Sequence, residues 1–280
     1  MKAVSESLGV ARSQLTARFK QRTQEARPRR RQALNDDVLV EQIKLTVSTL
    51  PSYGYRRVWA LLRRQREQQA LPPINVKRVY RVMRDHSLLL ERRRKQPGVA
   101  RRHEGRVAVE ASNTRWCSDG FEFRCEDGDK LRVTFALDCC DRELMRYVAT
   151  TGGITGEMVQ DLLLESLEYR FGQSERVPHP LEWLTDNGSC YIAKETRAFA
   201  SSLGFVVCTT PVRSPQSNGM AEAFVKTFKR DYVYLNDLPD AATVMARLPE
   251  WVEDYNRSHP HKGLKMKSPW EYRAELASNE

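Results

Sequence analysis

Nowhere in the 280 residues does an apolar run reach the ~18 positions that a membrane-spanning helix requires. The charged, amphipathic stretch 1–20 also lacks the apolar centre of a secretory signal. No C-x-x-C pair occurs among the six cysteines, Cys117, Cys125, Cys139, Cys140, Cys190 and Cys208. Five of the six lie in or beside apolar, strand-like stretches, so they read as small buried hydrophobes in a reducing compartment rather than disulfides or a zinc site. The five histidines lack ligand spacing, and His259 and His261 merely flank Pro260. Missing too is any recognisable Ser, Cys or His nucleophile. These absences point to a soluble, cytoplasmic chain with no membrane partner.

Charge is present in excess and unevenly spread. Residues 1–100 hold 23 Lys and Arg against 8 Asp and Glu, whereas residues 101–280 hold 23 against 28. A basic block joined to a mildly acidic one is the pattern of an anion-binding module attached to a part with another task, and a phosphate backbone is its natural partner.

Apolar spacing divides the chain further. Residues 3–19 read as two short helices around Gly9, either a helix-turn-helix-like segment or a plain helical hairpin, and with the basic linker Arg27-Pro28-Arg29-Arg30-Arg31 they make up a segment 1–34. A helical module follows over 35–95. Asn35 or Asp36 caps a helix to about Thr49, and Pro51-Ser52-Tyr53-Gly54 breaks it. Tyr55 to Gln68 is helical and densely basic. Asn75 then caps a third helix with Val79, Val82 and Met83 inside and Lys77, Arg78 and Arg81 outside. Residues 96–110 form a linker. From 111 to 275 the pattern changes to strands near 115–123, 130–138, 145–151, 181–185 and 205–210, with helices near 155–171, 194–203 and 217–234. That order predicts an α/β fold, a mixed five-stranded sheet flanked by helices, preceded by an all-α region.

Three acids stand at telling places. Asp119 lies in the first strand, Asp186 directly follows the fourth, and Glu222 sits one turn into the helix announced by Pro215 and Ser217. The ends of α/β strands are where ligand sites collect. Glu222, Lys226 and Lys229 fall at i, i+4 and i+7 and share one helix face. That face is either a solvated salt-bridge stripe or a carboxylate set beside two phosphate-binding lysines. Carboxylates from separate elements suit a hard cation such as Mg²⁺. A pair of such ions activates the attacking oxygen and stabilises the leaving one in an in-line displacement, with no protein nucleophile required.

Taken with their flanks, these residues carry a resemblance. Trp116-Cys117-Ser118-Asp119-Gly120, Leu184-Thr185-Asp186-Asn187-Gly188-Ser189 and Ser214-Pro215-Gln216-Ser217-Asn218-Gly219-Met220-Ala221-Glu222 are similar to the DDE motif of insertion-sequence transposases with a retroviral-integrase-like core, OrfB type. Thirty-five residues separate Asp186 from Glu222, as in that family, and Lys229 matches its basic position. Tyr53-Gly54-Tyr55-Arg56-Arg57, Asn75 to Tyr80, and the tail Tyr255-Asn256, His259-Pro260-His261 and Ser268-Pro269-Trp270-Glu271-Tyr272 resemble its other signatures.

The resemblance implies a ribonuclease-H-like core and metal-dependent cleavage and strand transfer at element ends. Asp119, Asp186 and Glu222 would hold two Mg²⁺ or Mn²⁺ ions, with Asp119 bridging. Element and target DNA would meet Lys226, Lys229, Arg56, Arg57, Lys77, Arg78 and Arg81. It also implies a homo-oligomer on DNA in the bacterial cytoplasm, at the nucleoid, and fusion to or partnership with an upstream-frame product. Asp138 and Asp141, after the second strand, are expected to help place the sheet and the active site. Two other readings stay open here: a nuclease of the same fold, and a DNA-binding regulator with an inactive catalytic fold.

Overall fold

The computed structural model describes residues 36–91, 108–209 and 219–278, with isolated positions among the first sixteen. The helices expected around Gly9 lie largely outside the described residues, and the arginine-rich linker and residues 210–218 lie wholly outside them. The chain divides into two compact units, Met1–Glu41 and Gln42–Glu280.

The basic module is helical as its spacing predicts. Helix α1 spans Asp37–Thr49, α2 Tyr55–Gln68 and α3 Val76–Asp85. The Asn75 side chain caps α3 by accepting from the Lys77 N–H at 2.8 Å. Val58 and Leu62 of α2 and Val79, Val82 and Met83 of α3 are buried, and the two helices pack together. Trp59 fastens their connection by donating to the Ile74 carbonyl at 2.8 Å.

Beyond it lies a five-stranded sheet in the order β3-β2-β1-β4-β5, formed by β1 (Arg115–Arg124), β2 (Lys130–Asp138), β3 (Leu144–Thr150), β4 (Leu181–Thr185) and β5 (Phe205–Thr209). The first three strands form an antiparallel meander, and β4 and β5 run parallel to β1. Such a mixed sheet is what hairpins followed by helical crossovers produce. Alternation along the strands gives the sheet two apolar faces. Cys117, Phe121, Leu131, Val133, Phe135 and Leu184 point one way, into a core closed by α7 (Gly219–Asp231) and α8 (Ala241–Ser258). Trp116, Ala136 and Trp183 point the other way, against α4 (Gly156–Phe171) and α6 (Lys194–Ser202), with the short α5 (Ser189–Ile192) between them.

Helix α7 ends at Asp231, short of the 234 predicted. Tyr232, buried and donating to Asp254 at 2.9 Å, leaves the helical path at φ −123°, and a 3₁₀ turn follows at Val233–Leu235. A second 3₁₀ turn, Lys262–Leu264, leads to α9 (Pro269–Ala277).

The tail signature acquires a structural meaning here. Ser268 and Glu271 form a reciprocal capping box at the start of α9, with Pro269 at its first turn. Glu271 also binds Arg64 of α2, the Arg64 Nη2 donating to its Oε2 at 2.6 Å. One short helix thereby ties the end of the chain to the basic module. Ser268→Ala is expected to lower stability by about 1 kcal/mol in urea unfolding. An unchanged midpoint would show the cap to be dispensable.

Candidate active site

Register brings two of the three acids together. Cys117 of β1 pairs with Leu184 of β4 in parallel. Carried two residues further, that register sets Asp186 beside Asp119. Parity then gives both the face of Cys117 and Leu184, the face that α7 covers. Glu222 lies in the first turn of α7. That helix packs over the same face of the sheet.

Electrostatics agree with the geometry. Burial pushes the Asp119 carboxyl up to about 6, the Gly120 N–H pulls it down, and the charges of Asp186 and Glu222 push it up again. Asp119 accepts from that N–H at 2.7 Å, and Asp186 accepts from the Gly188 N–H at 2.9 Å. The turn after β4 needs its glycine, because a β-carbon at Gly188 would stand 2.9 Å from Asp186 Oδ1 and 3.2 Å from the Tyr191 ring. Asn187-Gly188 therefore shapes the approach of Asp186.

Glu222 is not drawn fully in. Its carboxylate pairs with Lys226 at 3.4 Å, with side-chain exposures of 38% and 77%. Among the described residues no three His, Cys, Asp or Glu side chains converge tightly enough to hold an ion as they stand. An exposed i,i+4 pair is worth only ~0.3–0.5 kcal/mol, so Glu222 changes rotamer at little cost. The donor set of three carboxylates, mutually repelling and half-buried, suits a hard divalent cation in kind.

The basic residues separate into two groups. Arg56, Lys77, Arg81 and Lys226 are exposed, and Arg78 is half-buried. Arg57 is engaged elsewhere, pairing with the buried Asp231 at 3.1 Å and lying 5.1 Å from the Tyr53 ring. Lys229 lies over Phe121 and donates to the Glu122 carbonyl at 2.8 Å, which fastens α7 to β1. Tyr53 meets His259 at 2.9 Å, and Ser52 donates to Asp231 at 2.6 Å. The Tyr53 to Arg57 signature is thus a clamp between the basic module and α7–α8. His259 is buried, and burial together with Arg57 and Arg230 holds it well below its ordinary range, in the neutral form.

Asp138 and Asp141 are turned away from this site. Asp138 pairs across the sheet with Trp116, three residues from Asp119, and receives backbone N–H groups from Asn113, Cys140 and Asp141. Asp141 and Glu143 share the buried Arg170 at 3.0 Å each. Glu143 also accepts from Tyr169 at 2.5 Å and from Trp270 and Arg273 at 2.8 Å each. Sequence reasoning named Asp138 and Asp141 but missed their neighbour Glu143 and the distant partner Arg170, each of which resembles a surface charge.

Models of the integrase core domain match residues 109–215 and 206–269, and a model of an HTH-like domain matches 34–96. The chain is 52% identical over 276 residues to transposase InsD of the Escherichia coli insertion element IS2A/D/F/H/I/K, covering 99% of this chain and 91% of that protein. It is equally similar to transposase InsD of element IS2-9 of Escherichia coli strain K12, covering 90% of that protein. The chain belongs to the insertion-element transposases.

The transposase therefore has an integrase-type catalytic core and is a DDE-type polynucleotidyl transferase. Its integrase-core family uses divalent metal, and its curated relatives are transposases of insertion elements. Among solved structures, it resembles a chain of the simian T-cell lymphotropic virus intasome (17% identity, 82% of this chain and 73% of that one, TM-score 0.49). It also resembles the catalytic domain of Mos1 mariner transposase (15% identity, 59% and 82%, TM-score 0.43). Among the described residues no helix is long and apolar enough to cross a membrane.

Proposed function

We propose that Asp119, Asp186 and Glu222 are the catalytic carboxylates of this transposase and hold two divalent ions, Mg²⁺ or Mn²⁺, for cleavage and joining of DNA at element ends. The observation that carries this reading is the mutual field of the three acids. Asp119, already raised by burial, also feels the charges of Asp186 and Glu222. When bound, the ions supply a polarised oxygen nucleophile and neutralise charge on the transferred phosphoryl group.

The residues divide the work. Asp119 is held by Gly120 between two strands and offers its carboxylate centrally. Asp186 is oriented by the Gly188 N–H. Glu222 completes the set by leaving Lys226 and turning toward the sheet, which frees the Lys226 ammonium for a DNA phosphate.

Arg56, Lys77, Arg78 and Arg81, from the helical module over residues 35–95, contact the backbone of element DNA. Arg57 and Lys229 act indirectly, by fixing the positions of α2 and α7. The active species is a homo-oligomer on DNA in the bacterial cytoplasm, with an upstream-frame product as fusion or partner.

Glu222→Gln tests the reading, since it keeps shape and removes charge. Strand joining on labelled element ends with Mg²⁺ is expected to fall about a hundredfold, the order of effect of removing one group that stabilises developing charge. DNA binding should persist in a mobility-shift assay. Joining at the unaltered rate would remove Glu222 from the set.

A further inference from the structure

A cavity of about 310 Å³ opens between α2, α7 and the loop that follows α8. Among the described residues four cations line it, Arg56, Arg57, Arg142 and Lys262, and no carboxylate does. Arg57 is neutralised by Asp231. Among the described residues Arg142 and Lys262 meet no carboxylate, and Arg56 meets the neutral Tyr55, donating to its hydroxyl at 3.1 Å with the guanidinium 5.6 Å from its ring.

Arg142 is the anomaly. It is half-buried, its Nε is buried without a partner among the described residues, and its backbone lies in the left-handed region at φ 61°. The Lys262–Leu264 turn is built against it, because a β-carbon on Gly263 would overlap the guanidinium. Lys265 and Met266 also take left-handed backbone, at φ 54° and 66°. A partly desolvated guanidinium without a counter-charge is costly, and such backbone in non-glycine residues persists only where the surroundings impose it. An anion in the cavity removes the first cost and gives the second a purpose.

We propose that this cavity is a second phosphate site, holding a DNA phosphodiester other than the one cleaved. The proposal deepens the DNA-binding part of the proposed function. Met220, Ala223, Phe224 and Thr227 line the cavity from α7 at i, i+3, i+4 and i+7, the face nearly opposite Glu222 and Lys226. A helix is ~10 Å across, so a phosphate seated here is separate from one at the carboxylates. The ligand is a polymer rather than a small anion. Arg56 comes from the HTH-like region and Arg142 and Lys262 from the core, so a strand bound to the first and cleaved by the second spans both. The apolar wall of Met220 and Phe224 takes the sugar.

The test uses the full chain and a fluorescently labelled duplex carrying the element end, with binding followed by anisotropy between about 50 and 200 mM salt. Arg56→Gln/Lys262→Gln is expected to reduce the slope of log K against log salt by about 1, roughly 0.9 for the one phosphate no longer neutralised. Lys262→Gln alone, at an exposed position, should give about half that change and guards against misfolding of the double variant. An unchanged slope in both overturns the site. Melting with inorganic phosphate alone forms a second arm. Stabilisation of the unaltered chain that Lys262→Gln loses, with an unchanged DNA slope, would assign the cavity to a free anion and also overturn the proposal. The carboxylate reading stands or falls separately, on joining by Glu222→Gln.

Discussion

Asp119→Asn is expected to reduce strand joining by about a thousandfold or more while leaving DNA binding and folding intact. Asp119 is the acid that feels both others, so its loss affects both proposed ions, where loss of Glu222 affects one. Removing a single charge-stabilising group costs about 10²–10³ in rate, and a shared ligand belongs at or above the top of that range. Asparagine retains an oxygen that can accept from the Gly120 N–H, which separates loss of charge from loss of fold. The pH profile adds a second readout. Asp119 is raised to about 6, so protons compete with the cation increasingly as pH falls through that value. Joining by the unaltered enzyme should therefore decline between about pH 7 and 5, and additional Mg²⁺ should restore part of it. A rate within tenfold of the unaltered enzyme in Asp119→Asn, or a flat profile across that window at limiting Mg²⁺, would count against this assignment.

Much of this molecule is legible in its sequence because the decisive signals are local. Alternation at Leu131, Val133, Phe135 and Leu137 identifies β2 and its buried face, and all four are buried. The cap Asn75 marks its helix, accepting a backbone N–H. The position of Asp186 immediately after an apolar strand is enough to place it at a sheet end. The roles of individual cations were not legible. Arg56 and Arg57 are neighbours in the same basic run, yet one is exposed and the other is paired with Asp231, 174 positions away. No periodicity encodes a partner at that separation. The reach of Glu222 is likewise unreadable, since a helical wheel gives its face but not whether its carboxylate turns to Lys226 or to the sheet.

The family signatures outside the acid motif prove to be largely architectural. Tyr53 and Arg57 meet His259 and Asp231, while Trp270 and Glu271 meet Glu143 and Arg64. The basic module and the core are thereby clamped at two points. A DNA-binding element that must present one bond to a fixed set of carboxylates benefits from such rigidity, because misplacement by ~1 Å costs rate steeply.

The clamp around Glu143 leads to the largest stability effect. Arg170→Met is expected to destabilise the enzyme by about 3–5 kcal/mol, the order found when one partner of a buried ion cluster is removed. Arg170 and its partners Asp141 and Glu143 have fully buried side chains, so water cannot take its place. Burial opposes its charge, yet Asp141 and Glu143 hold it protonated above its ordinary range. Methionine fills much of the volume, so the loss reports uncompensated carboxylates rather than a cavity. The sign of the pH dependence follows from Asp138, which burial and Asp141 push up to about 7 and Arg170 pulls down. A group whose folded pKa lies above its unfolded value stabilises below the unfolded value and loses that contribution as pH rises through the folded one. Without Arg170 the folded value rises further, so the deficit of Arg170→Met should shrink as pH falls from 8 toward 5. Urea unfolding at several pH values measures both quantities. Adding Asp141→Asn and Glu143→Gln to Arg170→Met should recover part of the loss at pH 8, since it removes the stranded charges. If Arg170→Met unfolds with an unaltered midpoint, or if its deficit grows at low pH, the cluster does not hold the β2–β3 corner to α4 and α9 by charge.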